Sequence, residues 1–268
     1  METTEFGRTG LSVSVAGLGC GGHSRLGMAR GASRDTAADL VRHALSLGIN
    51  FIDTANDYGT EEPVGRAIAG RRDQVVLSTK TFIGRRDAPL DLSTILANLE
   101  ASLRALGTDY IDIYNLHGLT LQHSEYALNE VIPALQREQE KGKFRFLGVT
   151  ELFNADPGHQ MLQNLLPRDL FDVVMVGFNL LNPSARNRVF PATHERRVAT
   201  QVMFAVRRAL TNGEAVAEVV DDLVKRAQVS SDADRTLSFV TGHHEITSLP
   251  EAAYRFCRHE PGVDVVLT

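Results

Sequence analysis

Strand-like and helix-like stretches alternate along the chain with a repeat of roughly 30 residues, the length of a βα unit. The strand-like runs are short and apolar without alternation, which is the pattern of strands covered on both faces in a parallel sheet. At 268 residues the chain is close to the ~250 typical of one closed barrel. These three observations predict a single α/β domain over residues 1–268, a (β/α)8 TIM barrel with eight strands and seven helices.

Taken in order, Phe6 to Ser14 reads as a small N-terminal β-hairpin turning at Thr9-Gly10, a lid over one end of the barrel. Ala16 to Gly19 is a short first strand. A helical pattern then runs from Asp35 through Leu40, Val41, Ala44 and Leu45 to Gly48, whose tolerance of positive φ suits a helix end. Phe51-Ile52-Asp53 is the second strand and Val75 to Lys80 the third. In the next helix Leu92, Ile95, Leu96, Leu99, Leu103 and Leu106 share one face, with Asp91 as cap and Gly107 as stop. Ile111 to His117, Phe144 to Val149, Val173 to Val176, Val198 to Phe204 and Val263 to Leu267 complete the strands. Helical patterns at Val131 to Glu140, Met161 to Leu166 and Ala215 to Ala227 lie between them.

Composition narrows the function classes. A formal net charge of −5 and a pI near 6.0 give no electrostatic footprint for nucleic acid or an anionic membrane. The arginine pairs Arg71-Arg72, Arg85-Arg86, Arg196-Arg197 and Arg207-Arg208 are scattered and read mostly as solvated charges. Two distant cysteines, Cys20 and Cys257, make neither a disulfide framework nor zinc spacing, so a reducing cytoplasm fits. No signal-like N-terminus and no long apolar run is present.

Three strand-like runs end on ionisable residues, Asp53, Lys80 and His117, and Tyr58 follows the first of them by five positions. Parallel neighbouring strands place their C-terminal ends on one face, so these four side chains are expected to converge there. A phenol with a pKa of about 10 donates a proton near neutrality only if its anion is stabilised, and an ammonium beside it does that. Lys80 supplies the charge, Asp53 keeps Lys80 protonated in a dry barrel mouth, and His117 orients a carbonyl oxygen or passes a proton. Singly, each residue has a plain reading as a cap, a snorkelling lysine or a core histidine. Together they suit protonation of an oxygen as hydride reaches its carbon.

The segments Gly48-Ile49-Asn50-Phe51-Ile52-Asp53-Thr54-Ala55-Asn56-Asp57-Tyr58-Gly59, Leu77-Ser78-Thr79-Lys80 and Asp109-Tyr110-Ile111-Asp112-Ile113-Tyr114-Asn115-Leu116-His117 resemble the three signature segments of the aldo-keto reductases. The likeness extends to Gly7 to Ser14 and to Lys141 to Glu151, strongest in the first 150 residues. The resemblance implies an NADPH-linked reductase of aldehydes and ketones, with NADH not excluded. It makes Tyr58 the proton donor, gives Lys80 and Asp53 the tuning role, and puts His117 where the family keeps its histidine. It further implies cofactor contacts from Gly21 and Gly22, from Thr150 and Glu151 beside the carboxamide, and from Phe204 beside the ring. Phe82, His23 and the Leu119 to Tyr126 segment are wall elements for a small carbonyl substrate.

The pattern is broken in places. Met175 stands where many members carry a glutamine that binds the carboxamide. Ala205-Val206-Arg207 replaces Ser-Pro-Leu, so Arg207 and Arg208 either meet the pyrophosphate or begin a helix. Nothing follows Val263 to Thr268 where relatives have a loop and an eighth helix, so the native chain is expected to continue beyond Thr268, and without that tail nucleotide binding is expected to be severely weakened. Two other readings compete: a non-catalytic barrel that binds a nucleotide or a partner, and a metal-dependent hydrolase using His243-His244-Glu245 and His117, whose ligand set is incomplete. Gly19-Cys20-Gly21-Gly22 is only a fragment of a dinucleotide fingerprint. The physiological substrate and the oligomeric state are not readable from the sequence.

Overall fold

Eight parallel strands close into a barrel in the computed structural model, which describes residues 1–85 and 88–268. Arg86, from one of the arginine pairs noted above, lies outside the described residues. In chain order the barrel strands are β1 (Ala16–Gly19), β2 (Phe51–Asp53), β3 (Val76–Thr81), β4 (Ile111–Leu119), β5 (Phe144–Glu151), β6 (Val173–Gly177), β7 (Ala199–Met203) and β8 (Val265–Leu267). Each pairs with its sequence neighbours. The ring closes where Val266 and Leu267 meet Ala16 and Gly17. Closure needs a glycine there, since a Cβ on Gly17 would sit 2.8–2.9 Å from the side chains of Leu267, Phe51 and Val265.

The helices include α1 (Arg34–Ser46), α2 (Glu61–Ile68), α3 (Leu92–Leu106), α4 (Ile132–Glu140), α5 (Gln160–Leu165), α6 (Phe190–Arg196), α7 (Gly213–Lys225) and α8 (Leu249–Arg258). The α3 stripe behaves as its spacing predicts. Ile95, Leu99, Leu103 and Leu106 are buried, each worth about 1.5–3 kcal/mol of transfer free energy, and Gly107 ends the helix at φ +62. Asp91 precedes α3 without a capping side-chain bond, in contrast to the expectation. The α1 cap is Ser33, whose hydroxyl accepts from the Thr36 N–H.

Period-two alternation decides where chemistry can sit. Phe51, Val76, Ile113, Val173, Ala199 and Val265 form an apolar cluster inside the N-terminal half of the barrel. The predicted hairpin pairs Thr3–Glu5 with Ser12–Ser14, and its Phe6, Leu11 and Val13 join that cluster as a plug. Two and four residues further along, the same faces of the strands carry Asp53, Ser78, Lys80, Asn115 and His117. The apolar half thus excludes water below the polar half, which opens at the C-terminal mouth.

Candidate active site

Asp53 and Lys80 are the innermost pair. Both are almost fully buried, and the Lys80 ammonium donates to Asp53 Oδ1 at 2.8 Å, to Oδ2 at 2.6 Å and to the Thr54 carbonyl at 2.7 Å. Ser78 donates to Asp53 Oδ1 at 2.9 Å, and Asn115 donates to Ser78 at 3.0 Å, so β2, β3 and β4 are tied together under the site. Burial works against the Lys80 proton, but Asp53, with help from Tyr58, more than offsets that and the ammonium pKa lies above its ordinary value.

Tyr58 leans over this pair. Lys80 Nζ is 5.2 Å from the centroid of its ring, and its hydroxyl is 3.4 Å from His117 Nε2. Burial pushes the phenol up; Lys80 opposes this without cancelling it, and Asp53 adds to it. The phenol therefore holds its proton at neutral pH, the state a donor needs. The ring fits because residue 21 is glycine: a Cβ there would lie 2.4 Å from the Tyr58 ring. Phe82 stacks on His117 with centroids 4.0 Å apart. Asp57, which the sequence reading passed over, has Oδ1 3.6 Å from His117 Nδ1.

A cavity of about 250 Å3 opens over Asp53 and Tyr58, and Gly21, Gly22, Met175, Phe204 and Arg207 contribute to its wall together with Tyr254. Of the other expected contacts, Arg208 lines a neighbouring cavity of about 630 Å3, which Val206 and Arg207 also line. Thr150 accepts from the Gly118 N–H at 2.7 Å. The Glu151 carboxylate is fully buried and bonded to His159 and to the Gly177 N–H, away from the cavity wall. His23 is exposed and outside that wall. Met175 pairs in register with Gln201 on β7, whose buried amide has no hydrogen-bond partner among the described residues. His243 and His244 are exposed and stacked on each other. Among the described residues no group of three or more His, Cys, Asp or Glu side chains is placed to hold a metal, and no helix is long and apolar enough to cross a membrane.

The closed barrel and the ionisable side chains at its mouth point to an oxidoreductase class, and comparison with known proteins shows the family. The profile of the Aldo/keto reductase family matches residues 17–268. Aldo-keto reductase YhdN of Bacillus subtilis is 27% identical over 291 residues, spanning 100% of this chain and 84% of the relative. The holo form of aldo-keto reductase AKR11C1 from Bacillus halodurans superposes with a TM-score of 0.75 at 26% identity, over 99% of this chain and 85% of that one. An aldo/keto reductase from Klebsiella pneumoniae solved with NADP and acetate has the same fold, with a TM-score of 0.69 at 23% identity over 98% and 83% of the two chains. The chain belongs to the aldo-keto reductase family, whose members are NAD(P)H-dependent oxidoreductases.

Proposed function

We propose that this protein reduces aldehydes or ketones to alcohols, with NADPH as hydride donor and Tyr58 as proton donor. The observation that carries the reading is the Tyr58 hydroxyl 3.4 Å from His117 Nε2, with the Tyr58 ring set over the Lys80–Asp53 pair and Tyr58 and Asp53 lining an open cavity. A carbonyl oxygen placed between Tyr58 and His117 accepts hydrogen bonds from both, which fixes its orientation. NADPH, when bound, supplies the hydride to the carbonyl carbon. Tyr58 releases its proton to the oxygen as negative charge grows there. The Lys80 ammonium, facing the ring, stabilises the phenolate left behind, and Asp53 keeps that ammonium charged.

The residues present fit the nicotinamide end of such a cofactor. Gly21 and Gly22 let the backbone approach closely, Met175 and Phe204 offer apolar surface, and Arg207 offers a cation at the rim. Phe82, stacked on His117, is the natural wall for the substrate. Thr150 and Glu151 support the mouth from beneath in this reading.

Tyr58→Phe tests it. Removal of the general acid should lower kcat roughly 10²–10⁴-fold while nucleotide fluorescence titration gives an unchanged Kd. Unchanged turnover would remove Tyr58 from the donor role. A barrel that binds nucleotide without turnover is the second reading, favoured by Met175 at the carboxamide position; nucleotide binding with no consumption across a broad carbonyl panel would establish it.

A further inference from the structure

Outside the four-residue site, the chain buries a second acid–imidazole arrangement. The Glu151 and His159 side chains are fully buried, with His159 Nδ1 2.9 Å from Glu151 Oε2. Glu151 Oε1 accepts from the Gly177 N–H at 2.7 Å, and His159 Nε2 is 2.8 Å from Ser184 Oγ. One contact set therefore joins the end of β5, the end of β6, the residue before α5 and the loop after β6. His159 itself sits at φ +60, a conformation that a residue with a Cβ keeps only when its surroundings hold it.

The cluster reaches the mouth through one ring. Phe153 stacks near His159 with centroids 5.8 Å apart and lies so close to Gly177 that a Cβ there would be 2.4 Å from it. Its other neighbour is Phe204, at 6.0 Å. The Arg207 guanidinium lies 4.6 Å from the Phe204 centroid and 5.8 Å from that of Phe153, and donates to Asn154 Oδ1 at 2.9 Å. Phe204 and Arg207 both have positive φ, +67 and +47. The segment after β7 is thus held in an unfavourable backbone geometry by a stack whose base is the buried pair.

We propose that Glu151 and His159 are positioning residues which, through the Phe153 ring, set the place of Phe204 and Arg207 at the rim of the mouth and so control how tightly the nicotinamide nucleotide is held. A buried polar pair is a poor device for stability, since apolar side chains of the same volume often serve as well. Here the pair fixes geometry at four segment ends at once, which apolar side chains cannot do with the same directionality. The nucleotide part of the proposal rests on the function proposed above; the placement of the rim does not.

The chain has no tryptophan, so Phe204→Trp provides a single emission reporter at the rim. In nucleotide-free protein of that background, Glu151→Leu and Phe153→Leu should each move the emission to longer wavelength and increase acrylamide quenching, and Glu151→Gln, which keeps an acceptor for Gly177, should restore most of the parent signal. With Phe204 intact, Glu151→Leu and Phe153→Leu should raise the NADPH Kd about tenfold while kcat at saturating nucleotide stays within about threefold of the parent, the signature of lost binding rather than lost chemistry. A folded Glu151→Leu protein with the parent's emission and quenching overturns the proposal. If Glu151→Leu does not fold, Phe153→Leu decides: unchanged emission overturns it and a shift sustains it. If the unmodified protein binds no NADPH, the function proposed above fails, and the emission readout still judges the positioning role.

Discussion

Replacing Gly21 with alanine should disable the site by moving one ring. The new methyl carbon would begin 2.4, 2.7 and 2.8 Å from three atoms of the Tyr58 ring, whereas ordinary contact starts at 3.4 Å. Gly21 is not among the positive-φ residues, so the backbone itself accepts alanine and the strain falls on the ring, which must retreat by about 1 Å at the closest atom. The Tyr58 hydroxyl already stands 3.4 Å from His117 Nε2; a displacement of that size breaks their shared hold on a carbonyl oxygen. A misplacement of ~1 Å costs on the order of 10²-fold in rate, or about 2.7 kcal/mol of activation free energy. Steady-state consumption of NADPH with a reactive aldehyde measures kcat, and a thermal melt within a few degrees of the parent shows that the fold survives. A Gly21→Ala enzyme with the parent's kcat would refute the reasoning, because it would mean that the height of the phenol above Lys80 does not limit proton delivery.

Lys80→Met leaves the Asp53 carboxylate buried and unpaired, so urea unfolding should show a loss of roughly 3–5 kcal/mol; the double variant with Asp53→Leu should recover part of that, and an equal or greater loss in the double would contradict the pairing. Asp264, whose Oδ2 accepts from the Thr200 N–H at 2.9 Å, is pushed up to about 6 by burial, against which that bond works only in part. The folded state then binds this proton more tightly than the unfolded chain, where the pKa is about 3.9. Its contribution to stability is complete below about pH 4, falls as pH rises toward 6 and is gone above it. Asp264→Asn should accordingly be more stable than the parent by roughly 2–3 kcal/mol at pH 7 and indistinguishable from it near pH 4, and a difference that does not change with pH would exclude this origin.

The strands were legible from local signals, and the meeting of Asp53, Tyr58, Lys80 and His117 at one end of the barrel was legible from strand order. Leu92 to Leu106 repeats at helical spacing and is a helix over those residues, and Phe51-Ile52-Asp53 ends on its charge at the mouth as a short buried strand should. Convergence of Asp53, Lys80 and His117 followed from parallel order alone. The α2 helix escaped because Pro63 and Gly65 lower its propensity, yet burial of Val64, Ala67 and Ile68 outweighs that. Glu151 was placed beside the cofactor by the family resemblance. What redirects it is His159, eight residues later and at a left-handed backbone position, a partnership that no local pattern announces. That Met175 stands beside Gln201 was not legible, since pairing across β6 and β7 is a tertiary fact.

The three acceptors around Lys80 also determine what this amine does not do. An amine attacks an aldehyde through a lone pair, yet Lys80 Nζ spends its hydrogens on Asp53 Oδ1, Asp53 Oδ2 and the Thr54 carbonyl, and its side chain is only 1% exposed. Asp53 favours the protonated form, which withholds the lone pair. On the function proposed above, carbonyl compounds come within a few ångströms of this lysine, where an unprotonated amine forms carbinolamines and Schiff bases. The same pairing that keeps the charge behind Tyr58 thus withholds the lysine from attack on a carbonyl.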